Sequence, residues 1–130
     1  MILLDTHVVI WLMTSPDLVS KRAAKAIEKA GTEGMLPGIS AATMYELFYL
    51  KRRGRIQLHL TDAAILERMR EWFELIPITA TIAVEAAALP DPFHGDPIDR
   101  LIAATARVEG RTLITADRKI HESNVCKVRW

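Results

Sequence analysis

Four short apolar runs, each followed by a polar residue and a helix-spaced segment, constrain the fold of this chain more than any other feature. Ile2-Leu3-Leu4 ends in Asp5-Thr6-His7, and the interrupted run Met35-Leu36-Pro37-Gly38-Ile39 ends in Ser40. Leu75-Ile76-Pro77-Ile78 and Thr112-Leu113-Ile114-Thr115 follow, with a last run over 125–128. Strands this short and continuous, separated by helices and lacking a hairpin signal, predict an α/β fold: a central parallel sheet of four or five strands with helices on both faces. With 130 residues, 50% of them hydrophobic and 25% charged, the chain is long enough for one ordinary core, so a single domain over 1–130 is expected. Such sheets place their ligand site outside the carboxyl ends of the strands.

The helices follow from periodicity and caps. A first apolar segment over 6–13 ends before Ser15-Pro16-Asp17. Ser20 caps a solvated helix over 21–30 that stops at Gly31, and Ser40 starts a helix over 41–53 that carries Glu46 and stops at Gly54. Thr61 caps an amphipathic helix over 62–73 with Ile65, Leu66, Met69, Trp72 and Phe73 on one side, and 81–89 is an alanine-rich helix. In the stretch His94-Gly95-Asp96-Pro97-Ile98-Asp99-Arg100, Pro97 suits the first turn of a helix, which makes Asp96 its N-cap and Asp99 its third residue. Ala103 and Ala104 leave one face small enough to lie against a sheet, and Gly110 ends the helix. Asp117 opens a turn or short helix. Asp96 and Asp99 read two ways: as a cap and a dipole complement, or as acids held at the mouth of a core.

Composition narrows the function classes. A net charge of +1 excludes a strongly basic nucleic-acid wrapper while leaving room for a local basic patch. The single cysteine, Cys126, makes no internal disulfide and reads as a small buried residue near the last strand. The apolar opening is interrupted by Asp5 and His7 and has no basic leader, so neither export nor membrane spanning is expected and a cytoplasmic location fits. No glycine-rich nucleotide loop is present, and the four histidines show no metal-ligand spacing, which leaves His7 and His94 structural or substrate-contacting.

Asp5 and Asp117 follow strands, and Asp96 with Asp99 opens the helix that feeds the 112–115 strand. Glu46 has no basic residue three or four positions on, unlike many solvated helix glutamates, although an exposed glutamate is the plain alternative. The ordered set Leu3-Leu4-Asp5-Thr6-His7, Ser40 to Glu46, Phe93-His94-Gly95-Asp96-Pro97-Ile98-Asp99-Arg100 and Thr115-Ala116-Asp117 resembles the PIN domain family and, within it, the VapC-like ribonuclease toxins of toxin–antitoxin operons. The resemblance runs over essentially the whole chain. It implies an acidic catalytic site of Asp5, Glu46, Asp99 and Asp117, with Asp96 as helper or cap, a cognate antitoxin whose tail covers the acidic groove, and a homodimer. Tyr45 stands where close relatives often have tryptophan, a departure in packing that leaves the acids untouched.

Carboxylates held within a few ångströms repel one another, and a divalent cation removes that penalty. Hard oxygen donors favour Mg2+ or Mn2+, which would activate water for attack on an RNA phosphodiester. Asp5 and Asp99 are the first candidates for ligation, Asp117 completes the shell or holds a water, and Glu46 orients the attacking water. Thr6 and Thr115 are placed to hydrogen-bond these acids or simply to cap turns. Lys51-Arg52-Arg53-Gly54-Arg55 and Arg100 are the candidates for gripping phosphates, with a solvated helix end as the alternative for the run. Trp11, Trp72 and Trp130 read as core or dimer surface. Two other functions use similar parts: a receiver-like phosphoacceptor domain, which usually carries an adjacent acidic pair after its first strand, and a PIN-like module that binds RNA or a partner without cutting.

Overall fold

A computed structural model describes residues 1–90 and 96–130. Its element order is β1 (Ile2–Leu4), α1 (Thr6–Thr14), α2 (Lys21–Thr32), β2 (Gly38–Ser40), α3 (Ala41–Arg52), α4 (Asp62–Trp72), β3 (Glu74–Ile76), α5 (Ala80–Ala88), α6 (Pro97–Val108), β4 (Thr112–Ile114), α7 (Arg118–Ser123) and β5 (Val128–Arg129). A short 3-10 turn, Pro16–Leu18, separates α1 from α2. The five strands form one sheet in the order β3-β2-β1-β4-β5, and every pairing is parallel. The chain steps outward from β1 to β2 and β3, then returns to the other side of β1 as β4. Loops after β1 and β4 therefore diverge to opposite faces and leave a crevice between them, the usual ligand position in open α/β sheets.

Alternate strand residues supply the two faces. Leu4, Ile39 and Ile114 join Val8, Val9, Ala23, Leu47, Ile65 and Met69 beneath α1, α2 and α4. Leu3, Leu113 and Ile76 join Ile102, Ala103, Ala106 and Ile120 beneath α6 and α7. Ala103 is buried in this second cluster, whereas Ala104 packs against Ile82 and Ala86 of α5, so the small face of α6 is divided between two neighbours.

Several boundaries differ from expectation. Helix α2 runs through Gly31 to Thr32, because Gly34, with φ +74°, makes the left-handed stop instead. The last strand is confined to Val128–Arg129, and Cys126 lies before it, half-buried rather than enclosed. Trp72 is 43% exposed under Arg68, so the buried stripe of α4 is Ile65 and Met69, continued by Phe73. Tyr45, 62% exposed, stacks on Tyr49 at the surface and takes no part in core packing. The expectations for His94 and Gly95, and for Phe93 in the family motif, lie outside the described residues.

Candidate active site

Asp5 emerges from the carboxyl end of β1 and is the N-cap of α1, with one oxygen accepting the Thr6 N–H at 2.8 Å. Its other oxygen accepts the Thr115 hydroxyl at 2.7 Å, and that hydroxyl in turn accepts the Asp117 N–H at 3.0 Å. Thr115 thus ties the exit of β4 to the exit of β1. His121, one turn into α7, donates from Nε2 to the Thr115 carbonyl at 2.7 Å and fixes the same loop. Asp117 is the N-cap of α7 and Asp96 the N-cap of α6. Capping and convergence are therefore not alternatives: three helix N-termini bring their own carboxylates to one edge of the sheet.

Electrostatics show that these acids sense one another. Burial pushes the Asp99 carboxyl up to about 7, and the neighbouring charges of Asp5, Asp96, Glu46 and Asp117 push in the same direction. Burial also raises Asp5, against the hydrogen bonds from Thr115 and Thr6. Glu46, half-buried on α3, is raised by burial and by the charges of Asp5 and Asp96, while hydrogen bonding from Thr6 and the charge of His7 act the other way. The Thr6 and Thr43 hydroxyls stand 3.2 Å apart and link α1 to α3 beneath this group.

The five acids form one electrostatically coupled group centred on Asp99. Among the described residues, no three His, Cys, Asp or Glu side chains are gathered as a metal cluster. Asp5 and Asp117 each turn an oxygen to the amides of the helices they cap. The donor set nonetheless fits a hard divalent ion, since every candidate is a carboxylate and Asp5, Asp96, Glu46 and Asp117 all raise the proton affinity of Asp99.

The basic candidates are placed differently. Arg100 donates to the carbonyls of Ala86 at 3.1 Å and Leu89 at 2.7 Å, closing the last turn of α5, so its expected grip on phosphate is replaced by a structural one. Arg52 pairs with Asp62 at 3.1 Å and Arg53 lies over the Tyr49 ring, 5.1 Å from its centre. Both, with exposed Arg55, sit at the far end of α3, roughly 10 Å along the helix from Glu46. Thr43 and His121 are site features that sequence reasoning missed, and Trp11, expected in the core or at a dimer surface, lines the cleft beside Asp5 and Asp117. Nothing in the local pattern marks Thr43 or His121, because each acts through a neighbour from another element.

Comparison with known proteins adds to this geometry. The family model described as PIN domain matches residues 2–124. Ribonuclease VapC22 of Mycobacterium tuberculosis (strain ATCC 25618 / H37Rv) is 39% identical over 119 residues, covering 92% of this chain and 88% of the relative. Among solved structures, VapBC2 from Rickettsia felis, bound to a DNA fragment from their promoter, superposes with a TM-score of 0.75 at 18% identity over 99% of this chain and 98% of the other. A toxin–antitoxin complex from Klebsiella pneumoniae gives a TM-score of 0.64 at 24% identity, covering 92% and 88%.

Proposed function

The chain belongs to the PIN domain family, in its VapC-like group, and from that premise we propose that it is a metal-dependent endoribonuclease, the toxin of a toxin–antitoxin pair. The observation that carries the reading is the coupled acidic group at the carboxyl edge, in which Asp99 is pushed up to about 7 by burial and four neighbouring carboxylates. Carboxylates perturbed in this way cluster at sites where an ion or a reaction makes use of the repulsion. Asp5, Asp99 and Asp117 would hold the ion, Mg2+ or Mn2+, with Glu46 at its margin and Asp96 as the supporting cap. Such an ion supplies charge stabilisation at a phosphodiester and lowers the pKa of water.

The chain's own groups do the rest. Thr115 holds Asp5 in one orientation, and its hydroxyl also anchors the Asp117 amide. Glu46, with a raised proton affinity and hydrogen-bonded by Thr6, is suited to accept the proton of the attacking water. Arg52, Arg53 and Arg55 would meet phosphates of flanking nucleotides, since they stand too far along α3 to reach the bond being cut. The active unit in this reading is one PIN domain over 1–130, a homodimer in the cytoplasm, silenced by a cognate antitoxin lying over the acidic edge.

The test is cleavage of single-stranded RNA by the purified protein with Mg2+, with Mn2+ and with a chelator, alongside Asp5→Asn and Asp99→Asn. Cation-dependent cleavage lost in both folded variants is the expected result. Cleavage that persists in the chelator, or in both variants, would overturn it. An acid-labile phosphate gained from a small phosphodonor would favour the receiver-like alternative instead.

A further inference from the structure

Beside the acids lies an open cleft of about 260 Å³ bounded by Asp5, His7, Trp11, Ala116 and Asp117, in the crevice between the exits of β1 and β4. The carboxylate chemistry leaves one of its walls unexplained. Trp11 sits on α1 one turn after His7 and stands outside the buried cluster that takes in its neighbours Val8, Val9, Ile10, Leu12 and Met13. Two rings flank it. Trp130 lies 5.6 Å away at 53°, and His7 lies 6.1 Å away at 54°. Trp130 packs on the core, so the indole of Trp11 is buttressed from behind while half-exposed toward the cleft. An aromatic surface held in one orientation loses little further freedom when a second flat ring is laid against it.

We propose that this cleft is the subsite for one unpaired RNA base next to the bond being cut, with Trp11 as its stacking wall; the proposal rests on the RNA-cleaving reading above. In that reading the phosphate at the cut belongs to the ion that Asp5, Asp99 and Asp117 would hold, so the group left to meet Trp11 at the same opening is the neighbouring base, whose flat face suits an aromatic wall. His7, exposed at the rim, offers a ring N–H to the backbone of the same nucleotide. A base can enter only when it is free of its helix, so the cleft selects single-stranded or looped RNA over duplex.

The experiment is digestion of a randomised single-stranded RNA pool followed by sequencing of the ends, with KM measured on a well-cut oligonucleotide. Trp11→Leu should raise KM by roughly 5- to 150-fold, the range for losing one base–aromatic stack, and flatten the base preference at one position beside the cut. Trp11→Phe should keep that preference and stay within a few-fold of the parent. Should Trp11→Leu fail to fold, a second measurement serves: without divalent ion, the oligonucleotide should quench tryptophan fluorescence in the parent and much less in Trp11→Phe. Unchanged KM and cut pattern in folded Trp11→Leu, or a quench that survives Trp11→Phe, would overturn the proposal. So would an unchanged pattern combined with weakened binding of a protein partner, which would assign the wall to that partner. A parent protein that cuts no RNA would overturn the underlying reading instead, so the two failures are distinguishable.

Discussion

The two edges of the sheet handle buried charge in opposite ways. At the amino edge, Arg111 is buried just before β4 and reaches across the starts of the strands, pairing with Glu74 of β3 at 2.6 Å and lying 3.4 Å from the Ile2 carbonyl. Gly38 of β2 lies under this strut: a Cβ there would come within 2.7 Å of the Arg111 guanidinium and 2.8 Å of Ile76. At the carboxyl edge, by contrast, charges of one sign are brought together and raise one another's proton affinity. The first arrangement neutralises itself and stiffens the sheet. The second is held at a cost in stability, which fits the site proposed at that edge.

The sharpest way to break this contrast is to remove one charge from the acidic edge. Asp99→Asn should reduce RNA cleavage by at least ~100-fold while the protein at pH 8 melts no lower than the parent, because a repulsive charge has gone. Loss of both activity and stability would mean that Asp99 is structural. At the other edge, Glu74→Ala leaves the Arg111 charge buried without its carboxylate and should cost about 2 kcal/mol, discounted because Glu74 is half-exposed, with cleavage per folded molecule unchanged. Denaturant melts and specific activity check both parts.

A pH series sharpens the comparison. The folded value of Asp99, about 7, lies above the ordinary carboxylate value near 3.8, so the folded state binds the extra proton between them. Its contribution to stability is therefore present below about pH 4 and lost as pH rises to about 7, a loss on the order of 2 kcal/mol after allowing for solvent. Divalent ion should restore the melting temperature at pH 8 and do little at pH 5, where protons already occupy the site. A melting temperature that ignores the ion at both pH values would argue against the metal reading. Gly38→Ala should cost about 1–2 kcal/mol by displacing Arg111, again without touching cleavage. The smallest effect is expected of Asp96→Ala, about 1 kcal/mol from the lost cap of α6, read by thermal melting.

The layout of the fold was legible because short apolar strands and capped helices are local patterns: Ser20, Ser40, Thr61 and Asp96 all cap the helices their positions announce. The boundaries that moved did so where two signals competed, as at Gly31, where a glycine inside α2 costs less than breaking a helix that still buries Ala30. For the site, the family resemblance offered Asp5, Glu46, Asp99 and Asp117 as candidates, and the fold places Asp5, Glu46 and Asp117 where their charges act on Asp99. Arg100 shows the limit. Beside Asp99 in sequence it looked like a phosphate grip, yet only the packing of α6 on α5 reveals the carbonyls that take its guanidinium.

By itself the sequence determined the α/β class and the helix starts, since each rests on residues within one or two turns of one another. Tertiary structure alone decided that Thr115 grips Asp5 across 110 positions, that Arg111 reaches Glu74 across 37, and that Trp11 faces a cleft rather than the core. Such contacts depend on how strands are ordered in the sheet. No local pattern encodes that order, because it is set by the burial of all the apolar faces together.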